Sequence, residues 1–446
     1  MRLMAGAGRT DITPGDEFTG RLELAGYGDF GERYGKRRFM EGVHDRLYST
    51  ALVLEDDEKK IALASADLLG LPEELSLKAK DRVRKYLDIP AENIIIACTH
   101  THHGPATSDT RACGDPNPEY LERLPEIIAD SIIDAHLSRK PVHDLRAARG
   151  ELGRPLSFNR ERDKRNYEAD HEVYALFAES GLFSNIFTLW NFGCHPVVLE
   201  RDNTLITRDF PGAVADLLER SGYNRVIFTN GVFGDVDPVI NMERKRPGKP
   251  PAPFRSDFKD LGIYAAALGK KVMDLDSESA SFPHDIRMVS RKVRLPVNAK
   301  YPLEESDFDP VREAPGSPFR LDYVQALERF MDSVRQGKSE LPKYYEGDLH
   351  AIKIGRDVLL GMHTELMSET GLEIKRRHPG AVIIGNAGTG VWGYVPTNKA
   401  ARDLGYIRHG SKLQHLFPFS PEAEAELLLN VDSIMMDVNK PHKQPI

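Results

Sequence analysis

Ile94-Ile95-Ile96-Ala97-Cys98-Thr99-His100-Thr101-His102-His103-Gly104-Pro105 is a β-branched apolar run that ends in histidines and a Gly-Pro stop. Such a run predicts a buried strand, and its end is where a sheet aims side chains into a cleft. In extended chain, residues two apart share a face, so His100 and His102 point to one place. The local sequence alone also suits a His-rich loop open to solvent. A second segment, Ile186-Phe187-Thr188-Leu189-Trp190-Asn191-Phe192-Gly193-Cys194-His195-Pro196, repeats the pattern. A third, Val358-Leu359-Leu360-Gly361-Met362-His363-Thr364-Glu365, ends in His and Glu. A fourth, Ala381-Val382-Ile383-Ile384-Gly385-Asn386, runs into a Gly-rich loop and then Trp392-Gly393-Tyr394. Loops at one end of a sheet are where α/β proteins assemble sites. Two histidines and a carboxylate are the protein ligands expected of a catalytic zinc with an open position.

The remaining chain reads as alternating strands and helices. Residues 49–55 and 60–66 predict strands joined by a turn at Asp56-Asp57-Glu58, and 73–87 an amphipathic helix. Residues 118–138 predict a helix whose Leu121, Leu124, Ile127, Ile128, Ile132 and Ile133 recur at helical spacing, which makes them core. Residues 172–179 and 185–192 predict paired strands, and 226–229 a further strand leading to the loop 231–238. Residues 211–219 predict a helix with Asp209 as candidate cap and Pro211 near its first position. Residues 258–273 and 321–335 predict helices, while 247–253 and 301–318 are Pro-rich and charged, as suits surface loops or lids. The fold class is α/β, a mixed β-sheet core flanked by helices, with a metal site at strand ends. The expected organisation is one catalytic domain over 1–446 with a divergent charged, Pro-rich insert at about 240–345. No internal repeat or low-complexity tract stands out.

Composition excludes several classes. A chain of 446 residues that is 40% hydrophobic can bury a large core. Its net charge of −8, with no basic stripe interleaved with aromatics, argues against nucleic-acid binding. The basic run Arg244, Lys245 and Arg246 reads as a solvated loop. No apolar run is long enough for a membrane span. Met1-Arg2-Leu3-Met4-Ala5-Gly6 lacks the apolar core of a signal peptide, so a cytoplasmic location is expected. Three cysteines with no framework spacing suit a reducing compartment. Cys98 and Cys194 lie beside histidines but read as small buried strand residues, with Cys194 facing away from His195. Cys113 reads as a loop residue. The Gly385, Gly388, Gly390 spacing lacks the Lys-Ser/Thr of a phosphate loop.

The strand-end motifs, taken in order, resemble the catalytic domain of the neutral/alkaline non-lysosomal ceramidases. The resemblance runs through residues 5–14, Gly42-Val43-His44-Asp45-Arg46-Leu47-Tyr48, the segment 99–105 and Asn159-Arg160. It continues through Cys194-His195-Pro196, Gly234-Asp235-Val236-Asp237-Pro238, Glu365 with Gly371, Gly393-Tyr394-Val395-Pro396-Thr397 and Tyr406. It implies a zinc amidohydrolase in which hydroxide on the metal attacks an amide carbonyl. Carried over by position, His100, His195, Glu365 and Tyr394 would hold Zn2+, and His102, Arg160 and Tyr406 would surround the scissile group. The chemistry agrees: an imidazole can move the proton, and an Arg and a phenol can stabilise an oxyanion.

The sequence also departs from that pattern. Asp237 stands where the family has serine, His103 where it has serine, and residues 398–402 replace a Glu-rich stretch. The chain ends about forty residues past Tyr406, so no equivalent of the family's C-terminal immunoglobulin-like domain is expected. Asp237 joins the candidate catalytic residues because a carboxylate there can orient water, pair with Arg160 or bind a substrate hydroxyl. Two further readings stand beside an N-acyl lipid substrate. One keeps the metal and takes a small polar amide, ester or sugar derivative. The other is a binding protein that retains the fold without catalysis. Among the remaining candidates, Asp67 and Asp209 read as partners of imidazole N–H groups or as turn and cap residues. His363 is a rival ligand to Glu365. His44 reads as cleft lining or structural, and His409 and His415 as surface residues.

Overall fold

The computed structural model describes residues 3–28, 34–160, 168–181, 184–240, 257–283, 285–310, 313–389, 393–397 and 406–440, the side chains of 406–409 excepted. The basic run 244–246 and the Pro-rich stretch 247–253 lie outside the described residues, as do Trp392 and 398–402.

The decisive strand, Ile94–Cys98, forms with the predicted bounds and is buried along its length. It pairs in parallel with Lys60–Ala66, which is antiparallel to Tyr48–Glu55, itself antiparallel to Met4–Asp11. This order recurs. In a second sheet Val226–Asn230 lies parallel to Asn185–Phe192, followed by antiparallel Glu172–Glu179 and Asp144–Glu151. In a third, Ala381–Ile384 lies parallel to Asp357–Met362, followed by antiparallel Tyr344–Ile354 and Ile286–Pro296.

Each sheet therefore contains three antiparallel strands, a crossover helix and a fourth, parallel edge strand, and the first two add a short strand at the opposite edge, Lys140–Pro141 and Ala280–Ser281. The crossover helices are Glu73–Tyr86, Asp209–Arg220 and Ser368–Arg377. A second helix follows the fourth strand each time: Pro118–Leu137, Phe258–Glu278 and Ala423–Asn439. The structure thus repeats where the sequence does not. The repeat lies in topology and pairing order, which different side chains satisfy equally well, so it leaves no periodic sequence signal.

Three sheets require two kinds of burial. Their inner faces share one core, in which Ile95 and Leu63 of the first meet Leu189 and Ile227 of the second and Leu359 and Val382 of the third. Their outer faces are each sealed by the unit's own pair of helices. Strands covered on both sides read as near-continuous apolar runs, which is why the sequence signals were strong. In the helix Pro118–Leu137 the predicted stripe is core: Leu124, Ile128 and Ile132 are buried and Leu121, Ile127 and Ile133 pack at its margin. The stretch 240–345 divides. The helix Phe258–Glu278 and the strand Ile286–Pro296 belong to the second and third units, and among the described residues the connection beyond, carrying the helix Pro318–Arg335, is the excursion. Among the described residues no helix is long and apolar enough to cross a membrane.

Candidate metal centre

The fourth strands converge, and their ends are stitched together. Ala97 bridges to Ala387. Cys98 N donates to Asn386 O at 3.2 Å, and Gly385 N to Asn230 O at 2.9 Å. The Asn230 amide donates to the carbonyls of Thr99 (3.3 Å) and Cys194 (3.1 Å). One residue group from each unit is thereby brought to a common point: His100 and His102 from the first, His195 from the second, Glu365 from the third.

His100 takes a left-handed backbone (φ 69°), rare for a residue with a Cβ and typical of functional sites. Its Nδ1 donates to Leu69 O at 2.7 Å, and His195 Nδ1 donates to Val236 O at 3.1 Å. Both bonds fix the tautomer and leave Nε2 as a lone pair aimed inward. Those atoms lie 3.5 Å and 3.3 Å from Glu365 Oε2. His195 Nε2 and Glu365 Oε2 are buried with no hydrogen-bond partner. Burial depresses the His100 pKa and keeps it neutral. Burial alone would raise Glu365, but the two imidazoles and Gln414 outweigh it and hold the carboxyl ionised. A neutral imidazole at His100 and an ionised carboxylate at Glu365 are states that suit a divalent metal.

His102 completes the cluster. Atoms of His100, His102 and His195 lie within 4.8 Å of one another, close enough for a shared ion. The His102 ring is 5.2 Å from His100 and 5.6 Å from His195, centroid to centroid. Both of its nitrogens are buried and unpartnered. Its position comes from packing: Tyr27 meets the ring edge-on at 4.8 Å, and a Cβ on Gly26 would lie 2.5 Å from Nδ1. Arg38 holds the backbone by donating to His102 O at 3.0 and 3.1 Å.

Arg160 sits beside the cluster. It donates to Asp237 Oδ1 (3.0 Å), Gly234 O (2.9 Å) and the Tyr394 hydroxyl (2.9 Å). Tyr394 is delivered by parallel pairing with Glu365. Asp237 thus lies at the Arg160 guanidinium. Tyr406 opens the helix Tyr406–Gln414, and its side chain lies outside the described residues, as does that of His409.

Other candidates separate from the centre. His103 is satisfied: Nε2 donates to Leu199 O at 3.0 Å and Nδ1 accepts from Asn203 at 3.1 Å. His363 faces Gly388 and the charged cluster of Asp348, His350 and Lys292, not the imidazoles. His44 is exposed, bonded to Asp45 and stacked on Phe258. His415 stacks on Tyr345 at 4.3 Å. Asp67 accepts from Tyr48 N, and Asp209 from Val198, Leu199 and Phe210 N, so neither orients a cluster imidazole. Backbone carbonyls fill that role. Cys98, Cys113 and Cys194 are all buried, and Cys194 faces Tyr264 in the outer core.

Sequence reasoning missed Leu69, Val236, Asn386 and Gln414. Asn386 donates to Leu69 O at 2.6 Å, beside His100. Gln414 Nε2 donates to Glu365 Oε1 at 3.1 Å. A carbonyl carries no residue-type signal, and a lone Gln far down the chain has none until the fold places it.

Comparisons with known proteins point to one family. Residues 3–241 match the family described as neutral/alkaline non-lysosomal ceramidase, N-terminal. Neutral ceramidase 1 of Arabidopsis thaliana is 25% identical over 236 residues, which are 48% of this chain and 29% of that protein. Neutral ceramidase A of Dictyostelium discoideum is 26% identical over 275 residues, 55% of this chain and 37% of that protein. The chain thus spans well under half the length of these relatives. The crystal structure of neutral ceramidase from Pseudomonas aeruginosa superposes with a TM-score of 0.73 at 20% identity, covering 100% of this chain and 76% of that one. A ceramidase complexed with C2 gives 0.74 at 19% identity, with 100% and 77% covered. At such identities the likeness shows the fold.

Proposed function

Since this chain belongs to the neutral/alkaline non-lysosomal ceramidase family, we propose that it is a zinc-dependent hydrolase of an N-acyl amide. The observation that carries this reading is the convergence of His100 Nε2, His195 Nε2 and Glu365 Oε2 with their other polar atoms already bonded. Their buried lone pairs would be costly without a cation to accept them. Two imidazoles and one carboxylate fit zinc, with Tyr394 as the fourth ligand on the strength of the family resemblance. Zinc supplies Lewis acidity and lowers the pKa of bound water to roughly 7.

The chain's own groups do the rest. His102 has both nitrogens unpartnered. It takes a proton from the attacking water and returns one to the leaving nitrogen as the C–N bond breaks. Arg160, held by Asp237 and Gly234, presents a fixed cation to the oxyanion. Tyr406 is assigned to the same region by the resemblance. Ceramide is the first substrate to test. A small polar N-acyl compound is the second, favoured by Asp237, a carboxylate at the Arg160 guanidinium where the family has serine.

The test is fatty-acid release from a short-chain ceramide by zinc-loaded protein, with Glu365→Ala as blank. Turnover above the blank supports both chemistry and substrate. No turnover, with zinc bound, redirects the search to polar amides and esters. Alanine at His100 or Glu365 that removes zinc yet leaves every activity intact contradicts catalysis and favours a binding role.

A further inference from the structure

We infer that Gln414 is a positioning residue that makes Glu365 a one-oxygen ligand, reserving Oε2 for the metal. The inference rests on the metal-hydrolase reading and deepens it. Glu365 is buried, and its two oxygens have different surroundings. Oε1 accepts the Gln414 amide at 3.1 Å, while Oε2 has no hydrogen-bond partner and faces both imidazole Nε2 atoms at 3.3 and 3.5 Å.

A free carboxylate can chelate a cation with both oxygens. A donor on Oε1 takes one of that oxygen's two lone pairs, weakens it as a ligand and would favour binding through Oε2. A neutral amide suits this task. It orients the carboxylate without neutralising its charge, as a Lys or Arg would.

The amide is itself held in place. Gln414 ends the helix Tyr406–Gln414, and its side chain packs on the backbone of Gly393, where φ is 60°. A Cβ at Gly393 would lie 1.3 Å from Gln414 Oε1, so any larger residue there would displace the amide. The same Gly393 carbonyl accepts from Glu365 N at 2.8 Å and Thr364 Oγ1 at 2.7 Å. Gln414, Gly393 and Glu365 therefore form one assembly, and Tyr394 follows directly in the chain. A merely structural glutamine at a helix end would not need its N–H on the oxygen opposite the histidines.

The experiment compares wild type with Gln414→Met, which keeps length and removes the donor. Gln414→Leu is read instead should the methionine variant fail to fold. Zinc affinity is measured by competition with a chromophoric chelator, and the visible spectrum of the cobalt(II)-substituted protein reports coordination. The expected result is zinc binding weakened about 10–100-fold, with altered cobalt band intensities. A variant matching wild type in both zinc Kd and cobalt spectrum overturns the inference and leaves the metal reading standing. Wild type that binds neither metal overturns that reading, and the inference with it.

Discussion

Replacing Gly26 by Ala tests whether His102 is placed by packing. Its nitrogens have no hydrogen-bond partner, so contact with Gly26 and Tyr27 positions the ring. A Cβ at position 26 would lie 2.5 Å from Nδ1 and 2.6 Å from Cγ. Ordinary contacts are roughly 3.5–4.0 Å, so the ring must withdraw by about 1 Å. A displacement of that size can cost about 100-fold in rate. The left-handed backbone (φ 83°) adds a stability cost of about 1–2 kcal/mol for any residue with a Cβ. Gly20→Ala separates the two effects. Gly20 is also left-handed (φ 71°), but nothing lies within 4 Å of its Cβ position. Both variants should therefore lose stability in urea denaturation through the backbone, Gly26→Ala more because it also overpacks the ring, and only Gly26→Ala should lose turnover, with zinc content unchanged. Undiminished turnover in Gly26→Ala, or an equal fall in both, refutes the packing argument.

Other consequences can be measured directly. His103→Leu should lose about 1 kcal/mol, because Leu199 O and Asn203 each lose one of two partners, and should keep its zinc; loss of the metal would place His103 in the centre after all. Arg160→Lys should lower kcat by about 100–1000-fold, since a point charge cannot hold Asp237, Gly234 and Tyr394 at once; unchanged steady-state kinetics would remove Arg160 from the mechanism. Burial raises Asp67 to about 6 and Asp209 to about 7 from an ordinary 3.8. The folded state then binds more protons than the unfolded one, so their contribution is complete below 3.8 and is lost as pH rises through 6 and 7. The stability of wild type relative to Asp209→Asn should accordingly fall as pH rises from 3.8 to about 7, and a constant difference would contradict the shift. Asp237→Ser, which restores the family residue, should shift preference toward ceramide over polar N-acyl compounds in kcat/KM; no change would clear Asp237 of a role in selection.

The strands at 60–66, 94–98, 172–179 and 185–192 were legible because both faces are buried, so apolar runs bounded by turn signals mark them sharply. The strand Ile286–Pro296 was not. Its Arg287, Arg291, Lys292 and Arg294 interrupt the apolar run, and its partner Tyr344–Ile354 is far along the chain. The helix Ala423–Asn439 went unread because its buried face shows only once the third sheet exists to cover it. At the site, His100, His195 and Glu365 stood at strand ends and so could be found from the chain alone. Only the family-like spacing to Gly371 favours Glu365 over its rival His363 in the sequence. The backbone after Met362 sends His363 toward Asp348 and Glu365 toward the imidazoles, a choice made by the loop around Gly388. The carbonyls of Leu69 and Val236 are supplied by backbone and carry no sequence signature.

Zinc stoichiometry, measured by elemental analysis on wild type, His195→Ala and His363→Ala, bears most directly on the proposed centre. One zinc ion per chain in wild type and in His363→Ala, with loss in His195→Ala, is the predicted result. Wild type without zinc, or zinc retained in His195→Ala and lost in His363→Ala, would contradict a centre built on His100, His195 and Glu365.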